Sequence, residues 1–146
     1  MAALGEQMLR VTAALADGTL TWCTGPATLA GHTIPTITKA ADEFDRPAPR
    51  IIAALPVCVT TDKVAAAERA AKVFAVYGTL PSYRAMLDRE GAAGPADIAI
   101  MGSIGEVQDR VAALADIGVT DFAAVEFGAT PEEIANTRDA IKGLLK

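Results

Sequence analysis

Ile51–Val59 (IIAALPVCV) is a run of nine residues without a charge or a hydrogen-bonding amide side chain. A strand this apolar is covered on both faces, as in a parallel sheet packed between layers, so it commits the chain to an α/β fold. Pro56 lacks an N–H, which predicts a bulge or an early end to pairing near the carboxyl end of that strand. Gly18–Cys23 and Asp121–Phe127 read as further strands, and Ile98–Met101 as a short fourth. Helical patterns separate them. Glu6–Ala16 ends at Asp17-Gly18, where Gly suits a left-handed cap. Pro26 to about Phe44 is a second helix, with a kink expected near Thr33–Ile34 because Pro35 falls inside it. Asp62 caps a helix that stops around Gly78, and Pro81-Ser82 opens another that ends at Gly91. Ser103–Glu106 and Thr130–Glu133 read as capping boxes opening the last two helices. No linker or low-complexity segment interrupts residues 1–146, so one domain is expected.

Charge narrows the partners. A net charge of −5, with no Lys/Arg cluster, argues against nucleic acid or an anionic membrane. No uninterrupted apolar segment reaches the roughly 18 residues of a membrane span, and the amino terminus lacks the basic start and apolar core of a signal peptide. A cytoplasmic location is the expectation. Cys23 and Cys58 are placed as buried, reduced thiols; neither a disulfide nor a metal site is expected.

The chemistry concentrates at Gly18–Leu29 (GTLTWCTGPATL), where a strand runs directly into a helix start. Ligands of parallel α/β proteins sit at the carboxyl ends of strands, facing helix N-termini. Thr24 and Gly25 can offer a hydroxyl and a backbone N–H to a phosphate, and they read equally as an ordinary N-cap turn. Trp22 is either a wall for a flat aromatic ring or a core filler. Gly5 allows close backbone approach or is a simple loop residue. Glu126 lies near the carboxyl end of an otherwise apolar strand, with Arg50 or Lys39 as the expected ion-pair partner. His32 reads as a surface or packing residue. Tyr77 and Tyr83 line a pocket or pack in the core.

Two segments resemble the luciferase-like flavin and deazaflavin (coenzyme F-420) oxidoreductases. Leu15–Leu29 is similar to that family's sixth strand and following helix. Met101-Gly-Ser-Ile-Gly-Glu-Val107, continuing through Leu114-Ala-Asp-Ile-Gly-Val-Thr-Asp-Phe122, is similar to its closing signature. The resemblance implies a partial (β/α)8 TIM-type barrel, the C-terminal half, with Ala2-Ala3-Leu4-Gly5 as the end of a fifth strand. The family usually has Gly-Pro there; here Glu6 follows Gly5. It further implies hydride transfer between coenzyme F-420, or alternatively FMN, and a small organic substrate. Gly5, Trp22, Thr24 and Gly25 would be cofactor-binding residues, and no catalytic acid or base can be carried over. The alternative is a non-catalytic half-barrel that forms a homo-oligomer or complements a missing N-terminal half-barrel.

Overall fold

A computed structural model describes residues 1–145. Helix α1 (Glu6–Leu15) precedes strand β1 (Gly18–Trp22). Helix α2 (Pro26–Thr28) passes through a π-helical turn (Leu29–Thr33) into α3 (Ile34–Glu43) without leaving helical geometry. Strand β2 (Arg50–Val59) leads to α4 (Lys63–Val73), a 3-10 turn (Ala75–Gly78) and α5 (Pro81–Glu90). After a second 3-10 turn come β3 (Ile100–Gly102), α6 (Ile104–Asp116), β4 (Asp121–Glu126) and α7 (Pro131–Lys142). Pro35 produces no sharp break. Its missing N–H is absorbed where the π turn has already shifted the hydrogen-bond register.

All strand pairs are parallel, and β2 is the hub of the sheet. Its even-numbered residues bond along one edge: Arg50 N–H donates to Asp17 O at 2.8 Å, and Ala54 O accepts from Cys23 N–H at 3.3 Å. Just past the strand, Thr60 N–H donates to Gly102 O of β3 at 2.8 Å. Odd-numbered residues bond to β4, with Ile51 O and Val57 O accepting from Thr120 and Phe127. Strands β1 and β3 therefore share one edge of β2, one after the other. Pro56 falls between the last β1 pair, Trp22↔Ala54, and the first β3 pair, Val57↔Ile100. Its absent N–H points where no strand needs it, so the expected bulge is replaced by a change of partner.

Ala2 bridges Leu20 in parallel on the far side of β1. The order Ala2 stub–β1–β2–β4 follows the chain without reversal, the arrangement of a barrel arc with its helices outside. On the helix side, Ile51, Ala53, Leu55 and Val57 join Leu9, Ile37 and Leu114 in the main core. On the inner side, Cys58 packs with Ala66, Ala70, Phe74 and Phe127. Gly18 does not form the expected left-handed cap. It begins β1, and a Cβ there would overlap the Arg50 backbone; close strand approach is what requires glycine.

Beyond the end of β4, the odd edge of β2 is completed by a side chain. Val59 N–H donates to Thr137 Oγ1 at 2.8 Å, while the same hydroxyl donates to Glu133 O at 2.7 Å. Thr137 is fully buried. Thr137→Val keeps the shape and orphans that N–H, so urea denaturation is expected to show a loss of about 1–3 kcal/mol.

Candidate functional site

Each helix N-terminus leaves backbone donors without an intrahelical partner. At α4, Asp62 caps Ala65 N–H at 2.9 Å. Ser103 and Glu106 form the expected reciprocal box at α6. At α7 only half of the expected box forms. Thr130 Oγ1 accepts from Glu133 N–H at 3.1 Å, but the Glu133 carboxylate accepts from Ala129 N–H at 2.6 Å. The α2 terminus receives the Glu90 side chain from α5, with Ala27 N–H on Oε1 at 3.1 Å and Thr28 N–H on Oε2 at 2.7 Å. By contrast α1, which starts after Gly5, and α5, which starts after Leu80, have no side-chain cap.

These two uncapped termini border one cleft of about 440 Å³, formed by Ala2–Gly5, Met8, Leu20, Trp22, Ser82 and Tyr83. It lies at the carboxyl ends of the Ala2 stub and β1, where parallel sheets bind ligands. Trp22 ends β1 and forms part of its wall. Its ring meets Phe74 and Tyr77 edge-on, at centroid distances of 5.6 and 5.5 Å. Tyr77 in turn meets Tyr83 at 5.0 Å, and Phe74 meets Phe127 at 5.6 Å. Five aromatic rings thus form a continuous row on part of the inner face of the arc. Burial, and then the neighbouring Tyr77, push the Tyr83 hydroxyl above its usual range, so the phenol stays neutral. The Trp22 indole N–H is buried without a hydrogen-bond partner, a state that costs about 1–3 kcal/mol.

The cleft brings Gly5 and Trp22 together and excludes the other two residues singled out in the sequence. Thr24 is buried, and its hydroxyl donates to Trp22 O at 3.3 Å. Gly25 faces the Glu90 carboxylate, which fills the space a Cβ would take. Nothing lies near a Cβ at Gly5. His32 Nε2 lies 3.1 Å from Leu4 O and ties the π turn to the Ala2 stub. Glu126 pairs with Arg138 of α7, at 3.0 and 2.6 Å, rather than with Arg50 or Lys39; Arg50 pairs with Asp121 instead. The turn from β4 into α7 folds Arg138 back over the end of β4, whereas Arg50 stands at the opposite end of the sheet. Both cysteines are buried free thiols, and burial pushes Cys23 up to about 12. Cys23 lies just beyond β1 with φ +50°, turning the chain toward α2. Sequence reasoning missed Glu90 and the Phe74–Phe127 pair; the density of aromatics over 74–83 was the available signal.

The luciferase-like monooxygenase family model matches residues 1–144. The chain belongs to this family. No curated protein matches it in sequence. Among solved structures, the coenzyme F420-dependent tetrahydromethanopterin reductase of Methanopyrus kandleri is 20% identical, with a TM-score of 0.71 over 94% of this chain and 47% of that one. An F420-dependent secondary alcohol dehydrogenase, crystallised with an F420–acetone adduct, is 15% identical, with a TM-score of 0.72 over 99% and 48%. A long-chain alkane monooxygenase is 16% identical, with a TM-score of 0.66 over 99% and 41%. The chain spans about half the length of these proteins, and the likeness is one of fold: half of a luciferase-like TIM barrel.

In this luciferase-like half-barrel, the cleft at Gly5 and Trp22 suits a flat ligand that carries anionic groups. Uncapped N–H donors favour anions, against which Glu6 sets one carboxylate in the first turn of α1, and the aromatic row offers apolar edges. The α2 terminus does not suit such a ligand, because Glu90 already occupies it. A second cleft of about 560 Å³ lies between the carboxyl end of β2 and the starts of α6 and α7. Glu133 at its edge is already satisfied by Thr60 at 3.0 Å, Arg69 at 3.3 Å and Ala129. No group of residues there, or elsewhere among those described, can hold a metal ion.

On the rim of the second cleft, Lys63 and the Ser103 backbone and hydroxyl hold the Glu106 carboxyl down to about 2, against 4.5 when free. A depressed carboxyl adds stability above its unfolded value and loses it as pH falls toward the folded value. The Glu106 contribution is therefore present at neutral pH and is lost between about 4.5 and 2. Stability curves of Glu106→Gln and the wild type should converge across that window and separate above it.

Proposed function

We propose that this chain forms the C-terminal wall of an oxidoreductase site for coenzyme F-420, or alternatively FMN, acting on a small organic substrate. One observation carries the reading: two uncapped helix N-termini border a single cleft, walled by Trp22, at the carboxyl ends of parallel strands. Bound there, the cofactor supplies hydride transfer to or from the substrate. The protein supplies placement. Backbone donors of α1, starting after Gly5, and of α5, at Ser82 and Tyr83, hold anionic groups of the cofactor. Trp22 supplies a wall for the ring, and the Tyr77–Tyr83 edge keeps water from that side. Thr24 and Gly25 act from behind the wall, Thr24 by fixing the Trp22 carbonyl and Gly25 by admitting Glu90. The relatives that carry F420 in their names support the deazaflavin over FMN.

The remaining wall comes from a partner arc, either a second copy of this chain or an N-terminal half-barrel. Support comes from the inner face, where Leu20 and Val125 are 41% and 37% exposed, and from the outer edge of β4, which has no strand beside it among the described residues. Unpaired edges and apolar faces favour association. A purely structural role in such an assembly is the second reading. A cytoplasmic location fits the two free thiols; no helix among the described residues is long and apolar enough to cross a membrane.

Trp22 is the only tryptophan, so its emission reports the cleft. Titration with F-420 is expected to quench it saturably, with FMN as the comparison ligand. In Trp22→Phe, followed through cofactor fluorescence, affinity should fall about tenfold, as expected for lost ring area at the wall. Absence of saturable binding by either ligand would sink the cofactor reading. Light scattering after size exclusion is expected to give twice the monomer mass if a second copy completes the arc; a stable monomer leaves the N-terminal half-barrel as the partner.

A further inference from the structure

Helix α5 is seated through Met86 and Leu87, the only residues buried along it, with Leu87 in the main core, and Arg84 bonds the Ala92 and Ala93 carbonyls. At its carboxyl end, the Glu90 carboxylate forks across Ala27 N–H and Thr28 N–H, and one turn earlier Met86 O accepts from the Thr28 hydroxyl at 3.1 Å. At its amino end, Ser82 and Tyr83 border the Trp22 cleft. Ten helical residues span about 15 Å, so the fastening and the cleft sit at opposite ends of one stiff rod.

Two independent features show that the fastening is specific. The carboxylate takes the place at the α2 terminus that a free anion would take, and charge-assisted bonds of this kind are about twice as strong as neutral ones. Gly25 makes room for Glu90. Its backbone, φ −77° and ψ 168°, suits any residue, and the three atoms nearest to a Cβ there all belong to Glu90.

We propose that Glu90 is a positioning residue that latches α5 to α2 and thereby holds Ser82 and Tyr83 at the edge of the cleft. Its consequence for ligand binding rests on the cleft being the cofactor site; the latch itself does not. Releasing Glu90 leaves α5 held by Leu87, the Thr28 hydroxyl and Arg84, with more play in the spacing of Tyr83 to Tyr77 and, through it, to Trp22.

The test is a double-mutant cycle read by amide exchange and tryptophan emission on the ligand-free protein, then by FMN and F-420 titration. Glu90→Ala and Gly25→Ala should each speed exchange of the Arg84–Glu90 amides about tenfold or more, shift Trp22 emission, and leave the α6 amides unchanged. Glu90→Gln, which keeps one acceptor, should fall between. The double variant should be no worse than Glu90→Ala, because the carboxylate that a methyl group at position 25 would strike is gone. Additive effects, or unchanged α5 protection in Glu90→Ala, overturn the latch. If the wild type binds cofactor, Glu90→Ala should bind it about tenfold more weakly; equal affinity overturns the positioning role. Failure of the wild type to bind overturns the cofactor reading and leaves the exchange cycle to decide the latch.

Discussion

Strand β2 is bonded along both edges, and its faces are buried against the outer helices on one side and α4 with the aromatic row on the other. Every other strand of the arc is positioned by it. Because β1 and β3 use the same edge in succession, the strand must release one partner before it takes the other. Pro56 stands at that release point, and the residue that looked awkward in sequence is the one that needs no partner there. Where β4 stops short, the Thr137 hydroxyl takes over the ladder and fastens α7 to the hub.

The site inherits its shape from this arrangement through the ways in which helix starts are satisfied. At α4, α6 and α7 one helical donor each is served by a residue beside it in sequence. The α2 start is served by a carboxylate 62 residues away. What remains open are the α1 and α5 starts, and the sheet brings both to the same end of β1.

Legibility followed the range of the interactions. Strands β1, β2 and β4, the Asp62 cap, the Ser103–Glu106 box and the Gly91 terminus depend on residues within a few positions, and were readable to within a residue or two. The family's half-barrel was readable from the segments around Trp22 and Ser103. Glu126–Arg138, Gly18 against Arg50, and Glu90 against Gly25 were misread or missed. Each pairs groups whose proximity is set by where the sheet places two elements. A carboxylate in a sequence shows that a partner is needed, not which one is in reach.

By itself, the sequence determined a parallel α/β arc: an apolar run too long and too bare to face water on either side, flanked by helices with locally encoded starts. It also pointed to the end of β1 as the expected ligand junction. Tertiary structure alone decided which donors there stay free. Which helix terminus meets an acceptor, and which one, depends on distance in space. Glu90 closed the expected terminus at Gly25, and the open one moved to Gly5, Ser82 and Trp22.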